Sequence, residues 1–139
     1  MLMLHSRLVA MRALNNSVDS LLAAGQGNIV AMGDFNDVPS SEAFSIMEGC
    51  LVNMGSAIDG GSIRFKGRWQ LIDNYLVSAD VAEKMRMEVL RPPFLMERDR
   101  QYPGDKPKRT YIGPRYNGGV SDHLPVGLRN TSSRSCPER

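Results

Sequence analysis

Leu8, Met11, Leu14, Val18, Leu21 and Leu22 recur at three- and four-residue steps, forming one apolar stripe of an amphipathic helix. Arg7, Arg12, Asn15, Asn16 and Asp19 lie mostly off that stripe, and Gly25 and Gly27 stop the helix, because glycine readily takes the left-handed cap position. Ile29 to Met32 are apolar with no helical period, which predicts a short strand buried on both faces. Gly33 ends that run, and Asp34, Asn36 and Asp37 arrive together just beyond it. A second helix is predicted to start at Pro39–Ser41, with serine as its cap and Glu42 against the positive helix end, and to run to Gly49. Asn53 to Ser62 is rich in small residues and reads as loop.

Ser62–Phe65 and Arg68–Ser78 predict a hairpin turning at Lys66-Gly67, its second arm a core strand interrupted by Asp73 and Asn74. Ala79–Lys84 fits a short helix and Met85–Leu90 a strand, which Pro92-Pro93 terminates. Val120, Leu124, Val126 and Leu128 fit a final strand, with Ser121, Asp122 and His123 near its start. The pattern therefore implies an α/β (α+β) fold, one mostly antiparallel or mixed sheet with flanking helices. A single domain is expected over residues 1–129, with a polar, frayed tail over 130–139.

Composition narrows the functional classes. A hydrophobic content of 42% and a charged content of 23% are those of an ordinary soluble globular chain. The net charge of +2 gives little whole-molecule steering toward nucleic acid or membrane, so any affinity for anions must come from local clusters. Cys50 and Cys136 make neither a disulfide framework nor a thiolate metal site. No apolar run is long enough to span a membrane, and Met1–Leu4 is too short for a signal-peptide core. The compartment stays open. From Arg98 to Gly119, six basic residues alternate with Tyr102, Tyr111 and Tyr116. Such a run suits a solvated loop, and it equally suits a surface for phosphates or stacked bases.

Three places carry candidate chemistry. Asp34, Asn36 and Asp37 follow a strand, where ligands bind in open mixed sheets, although Asx residues also simply make turns. Asp73 inside an apolar strand needs a partner, either a backbone hydrogen bond or a histidine in a site. Of the two histidines, His5 reads as solvent-facing, whereas His123 follows Asp122 at the edge of a core strand. If Asp34, Asn36, Asp73, Asp122 and His123 converge, their carboxylates repel; two charges about 4 Å apart cost about 4 kcal/mol at an effective dielectric near 20. A divalent cation would offset that repulsion, and oxygen ligands without cysteine suit Mg²⁺ or Mn²⁺.

G-D-F-N-D at Gly33–Asp37, Leu71-Ile72-Asp73, and S-D-H at Ser121–His123 occur in the order of the endonuclease/exonuclease/phosphatase superfamily, which the chain resembles from Arg7 to about Leu128. Lys108–Gly113 and Tyr116–Gly119 are similar to a bacterial branch of it. The resemblance implies half of a DNase I-like sandwich and a divalent-metal-dependent phosphoesterase. It implies that Asp34 orients or deprotonates the attacking water and that Asn36 donates to the phosphate. It further implies that Asp122, with Asp34, binds the metal, that His123 donates to a phosphoryl oxygen, and that Asp73 pairs with His123. Lys108 and Arg109 are expected to contact substrate. The substrate class, a phosphoester that includes nucleic acid among its options, is left open by resemblance at fold level.

The chain departs from the family pattern in having no counterpart to its upstream Asn and metal-ligating Glu. The sequence reads as the C-terminal half of such a domain, for which a missing N-terminal half is an expected partner. The competing expectation is a non-catalytic remnant that binds phosphate or a partner chain.

Overall fold

A computed structural model describes residues 2–131; the expected tail from residue 132 onward, with Cys136, lies outside the described residues. The first helix, α1 (Leu2–Ala23), leads into strand β1 (Val30–Asp34) and the single-turn helix α2 (Glu42–Ser45). Strands β2 (Val52–Asn53), β3 (Ile63–Phe65), β4 (Arg68–Gln70) and β5 (Asp73–Val77) follow, then helix α3 (Ala79–Ala82) and strand β6 (Met85–Val89). The last part holds β7 (Met96–Arg98), β8 (Asp105–Pro107), β9 (Tyr111–Ile112), β10 (Arg115–Tyr116) and β11 (Val126–Asn130).

The mixed α/β class is as expected, but the one sheet of the sequence reading is several. Among the described residues, a three-stranded sheet β1-β5-β2 stands beside four two-stranded ladders, β3-β4, β6-β11, β7-β8 and β9-β10, all antiparallel. The expected strand Arg68–Ser78 divides at Leu71-Ile72. Its first part pairs with β3 and its second with β1, so the chain changes partner between them.

One face of the central sheet packs on α1 and α2. Met11 and Val18 of α1 meet Ala43 and Phe44 of α2, together with Met47, Leu51 and Leu76 of β5. Burying each large side chain of this kind stabilises the fold by about 1.5–3 kcal/mol. The helical stripe reaches the core only as far as Val18: Leu21 and Leu22 are exposed. Cys50 lies beside this helix as a free thiol that donates to Asp19 Oδ1 (3.5 Å), and burial, followed by that bond and the Asp19 charge, raises its pKa.

Further expectations are corrected. The strand at Ile29 is not buried on both faces: Ile29 is buried, but Val30 and Met32 are exposed. Residues alternate sides along a strand, so Val30 and Met32 lie on the face away from the α1–α2 core, while Ala31 packs against it. The final strand begins at Val126 rather than Val120, which is exposed; Ser121–Leu124 approach it as an irregular segment. Ser41 makes no side-chain cap bond at α2, and that helix is only one turn long. Asn130, expected in the tail, pairs with Met85 in the β6-β11 ladder.

The basic, tyrosine-rich segment is also more ordered than a loop. Arg64 reaches into it from β3, donating to the carbonyls of Asp105 (2.7 Å), Pro103 (2.5 Å) and Gly67 (3.2 Å) and lying 3.7 Å from Asp99. Lys106 pairs with Glu97 and Asp99, and Arg98 pairs with Asp105. Two of this segment's six basic residues, Arg98 and Lys106, are thus engaged internally.

Candidate active site

Antiparallel register sets the site. In the β1–β5 ladder Asp34 stands directly opposite Asp73, an arrangement of like charges that opposes pairing unless something offsets it. His123 supplies part of that offset. Its Nδ1 lies 2.7 Å from Asp73 Oδ2, with side chains 25% and 17% exposed respectively. Ligand atoms of Asp34, Asp73 and His123 all lie within 4.8 Å of one another.

Each of the three residues has its own local support. Asp34 ends β1, and its Oδ1 accepts the Asn36 N–H (2.8 Å) while its Oδ2 lies 3.4 Å from Asn36 Nδ2. Asn36 itself has φ +52, a left-handed conformation that asparagine tolerates better than most residues. The turn is held further by Asp37, whose Oδ1 accepts the Val38 N–H and whose Oδ2 lies 3.4 Å from Arg7 of α1. Phe35 between them packs on Phe44, with ring centroids 5.3 Å apart.

His123 reaches the sheet through an isolated antiparallel bridge to Ile63 of β3. Its own N–H is capped by Ser121 Oγ (3.0 Å), and the following Leu124 is buried and donates its N–H to the Ser62 carbonyl (2.7 Å). Ser62 is fully buried, and its hydroxyl lies 3.4 Å from the N–H groups of both Ile72 and Asp73. One small residue therefore joins the segment carrying His123 to the strand carrying Asp73. The sequence reading missed Ser62, treating it as the start of a hairpin; a serine entering a strand carries no signal that separates this role from an ordinary turn.

The remaining predicted residues are placed as follows. Asn36 is on Asp34, as described. Asp122 is exposed and does not join the three convergent ligand groups. Lys108 and Arg109 are half-buried, and neither makes an ion pair among the described residues. They are tied to the approach to His123 by backbone contacts: Gly119 packs against the Lys108 and Arg109 carbonyls, and Thr110 Oγ1 donates to the Val120 carbonyl (2.6 Å). His5 is exposed, as expected.

Chemically, two carboxylates and an imidazole within reach of one small ion form a donor set of oxygen and nitrogen without thiolate. This set suits a hard or borderline divalent cation. The identity of the metal is not fixed by these donors.

Comparison with protein families matches residues 4–130 to the Endonuclease/Exonuclease/phosphatase family. No curated protein and no solved structure matches the chain. Among the described residues, no helix is long and apolar enough to cross a membrane. With the match covering all but the ends of the chain and the Asp34–Asp73–His123 group in place, the protein belongs to the endonuclease/exonuclease/phosphatase family, a family of phosphoester hydrolases.

Proposed function

We propose that the chain is a divalent-metal-dependent phosphoesterase domain, cleaving a P–O bond by in-line attack of water. The observation that carries this reading is the meeting of Asp34, Asp73 and His123 from three separate segments, with ligand atoms within 4.8 Å of one another. Asp34, whose carboxylate is oriented by Asn36, accepts a proton from the attacking water or aligns it. The Asn36 amide, once drawn from its long contact with Asp34, donates to a phosphate oxygen. His123 donates from Nε2 to a phosphoryl oxygen, and Asp73 fixes its ring by accepting from Nδ1. Lys108 and Arg109, without ion pairs among the described residues, attract the anionic substrate. Asp34 would hold the cation, Mg²⁺ or Mn²⁺, with Asp122, which stands outside the three convergent groups, as the further ligand that the family resemblance implies; the bound cation would stabilise negative charge on the phosphoryl oxygens.

The finer fold proposed is half of a DNase I-like sandwich. On the sheet face that carries Asp34 and Asp73, Val30 (46% exposed), Met32 (68%) and Val52 (45%) leave an apolar strip that a second sheet would cover. A phosphate-binding remnant without catalysis is the competing reading, favoured by the basic, tyrosine-rich segment from Arg98 to Gly119.

The test is hydrolysis of bis(p-nitrophenyl) phosphate by the chain with and without Mg²⁺. Metal-dependent turnover that Asp34→Ala and His123→Ala each abolish supports the reading. Turnover that is indifferent to both substitutions contradicts it.

A further inference from the structure

Trp69 carries two guanidinium groups. Arg91 Cζ stands 4.4 Å from its ring centroid and Arg64 Cζ 5.9 Å. These two arginines have different fates. Arg64 is buried and consumed by three carbonyls and Asp99. Arg91 is exposed, its one hydrogen bond is a long contact with the Gly61 carbonyl (3.5 Å), and no carboxylate lies within 4.0 Å of it among the described residues.

The backbone is shaped to admit Arg91. Gly60 has φ +106, and a Cβ there would stand 2.5 Å from Arg91 Nη2. A side chain at Gly60 would therefore be strained and would push the guanidinium away. The segment read only as a loop of small residues is the seat of this arginine. Stacking on one side and the glycine seat below hold the fork in a fixed orientation, which lowers the entropy lost when it binds a ligand.

Arg91 and Trp69 wall two cavities, of about 590 Å³ and about 490 Å³. The acidic groups lining these are mostly engaged: Glu97 with Lys106, Asp105 with Arg98, and Glu88 with Arg129. Asp59 alone has no ion pair. A third cavity, of about 310 Å³, runs from Trp69, Gln70 and Leu71 to Val38, Pro39 and Ser40, immediately beyond the Asp34–Asp37 turn. From the other side, Gln70 pairs with Ile63, and Ile63 bridges to His123. Two strand spacings, about 10 Å, thus separate the His123 backbone from the strand that carries Trp69.

We infer that Arg91, held on Trp69, binds a second phosphate group of the substrate, apart from the phosphorus under attack. This inference rests on the phosphoesterase reading for the word substrate, but the anion site stands on its own geometry. A planar, preorganised guanidinium without a carboxylate partner matches a phosphate through two parallel N–H donors. The preferred substrate class is accordingly a phosphoester carrying at least two phosphates, rather than an isolated diester.

Trp69 is the chain's one tryptophan and reports binding at this site directly, without metal or turnover. Thymidine 3′,5′-bisphosphate is titrated in metal-free buffer at constant ionic strength, with inorganic phosphate as a second probe. Saturable change in Trp69 emission is expected in wild type and in Asp34→Asn, at least about tenfold tighter for the bisphosphate than for inorganic phosphate. Arg91→Gln is expected to lose it, and Arg91→Lys to weaken it severalfold with the fold unchanged by circular dichroism. Inorganic phosphate binding as tightly as the bisphosphate would assign the site to free phosphate and overturn the inference. No saturable change in wild type, or an undiminished one in Arg91→Lys, would also overturn it.

A kinetic arm separates this from the catalytic reading. Thymidine 5′-(p-nitrophenyl phosphate) is compared with the same ester carrying a 3′-phosphate. Preference for the second, residing in KM and abolished by Arg91→Gln while the first is hydrolysed as before, supports the inference; equal kcat/KM for the two in wild type contradicts it. Absence of turnover on both counts against the phosphoesterase reading alone, and the fluorescence result still decides the anion site.

Discussion

His123 and Asp73, fifty residues apart in the chain, share a 2.7 Å contact between Nδ1 and Oδ2. Nothing else among the described residues holds the imidazole at a nitrogen, so the carboxylate alone sets which edge of the ring points away from it. Asp73→Asn keeps the size of the partner and removes its charge. It is expected to lower kcat/KM for the phosphoester by about 100-fold, the order associated with a mispositioned acid–base group. Stopped-time assays with circular dichroism on the same samples check it; activity within twofold of wild type would show that the pairing is only structural.

The hydrophobic core makes a second expectation. Leu76 is fully buried between the sheet and the two helices, whereas Leu21, on the same predicted helical stripe as Val18, is 45% exposed. Leu76→Ala should cost about 2–5 kcal/mol, and Leu21→Ala less than about 0.5 kcal/mol beyond its change in helix propensity. Urea unfolding measures both. Equal losses would mean that the stripe is buried along its whole length.

Much of this arrangement was legible in the sequence, for reasons that can be stated residue by residue. G-D-F-N-D, Asp73 and S-D-H stood out as polar residues set against apolar strands, and their resemblance, in order, to the motifs of the family gave them roles. Their meeting follows from long-range pairing, Asp34 opposite Asp73 in the β1–β5 register and His123 brought in by its bridge to Ile63, which no local pattern specifies. The partner change at Leu71-Ile72 was hidden for the same reason: an apolar run looks alike whether it joins one ladder or two. Which residues of this strand are exposed, Val30 and Met32, was also out of reach, since an apolar strand has the same composition whether one face is covered or both. Ser62 and the Arg64 knot are long-range hydrogen-bond roles, and neither residue type announces them.

The Arg64 knot gives the account a pH dependence. The Asp99 side chain is 6% exposed and accepts from the Gln101 N–H (2.9 Å) and the Tyr102 N–H (3.3 Å). The Gln101 bond foremost, opposed by burial and assisted by Tyr102, Lys106 and Arg64, lowers its pKa below the usual carboxylate value. A depressed folded pKa means that the stabilisation is complete above the unfolded value, about 3.9, and is lost as pH falls through the folded value. Thermal melts from pH 7 to pH 2 should therefore show an acid limb below about pH 4 that Asp99→Asn flattens. An identical acid limb in the variant would remove Asp99 from the explanation.

The central claim is that Asp34, where it meets Asp73 and His123, holds a bound cation. Mn²⁺ binding to the purified chain, followed by loss of the free-ion electron paramagnetic resonance signal, tests that claim without any substrate. One site with a dissociation constant of about 1 mM or tighter is expected, weakened at least about tenfold by Asp34→Asn. Absence of binding at that concentration, or binding that Asp34→Asn leaves unchanged, would contradict it.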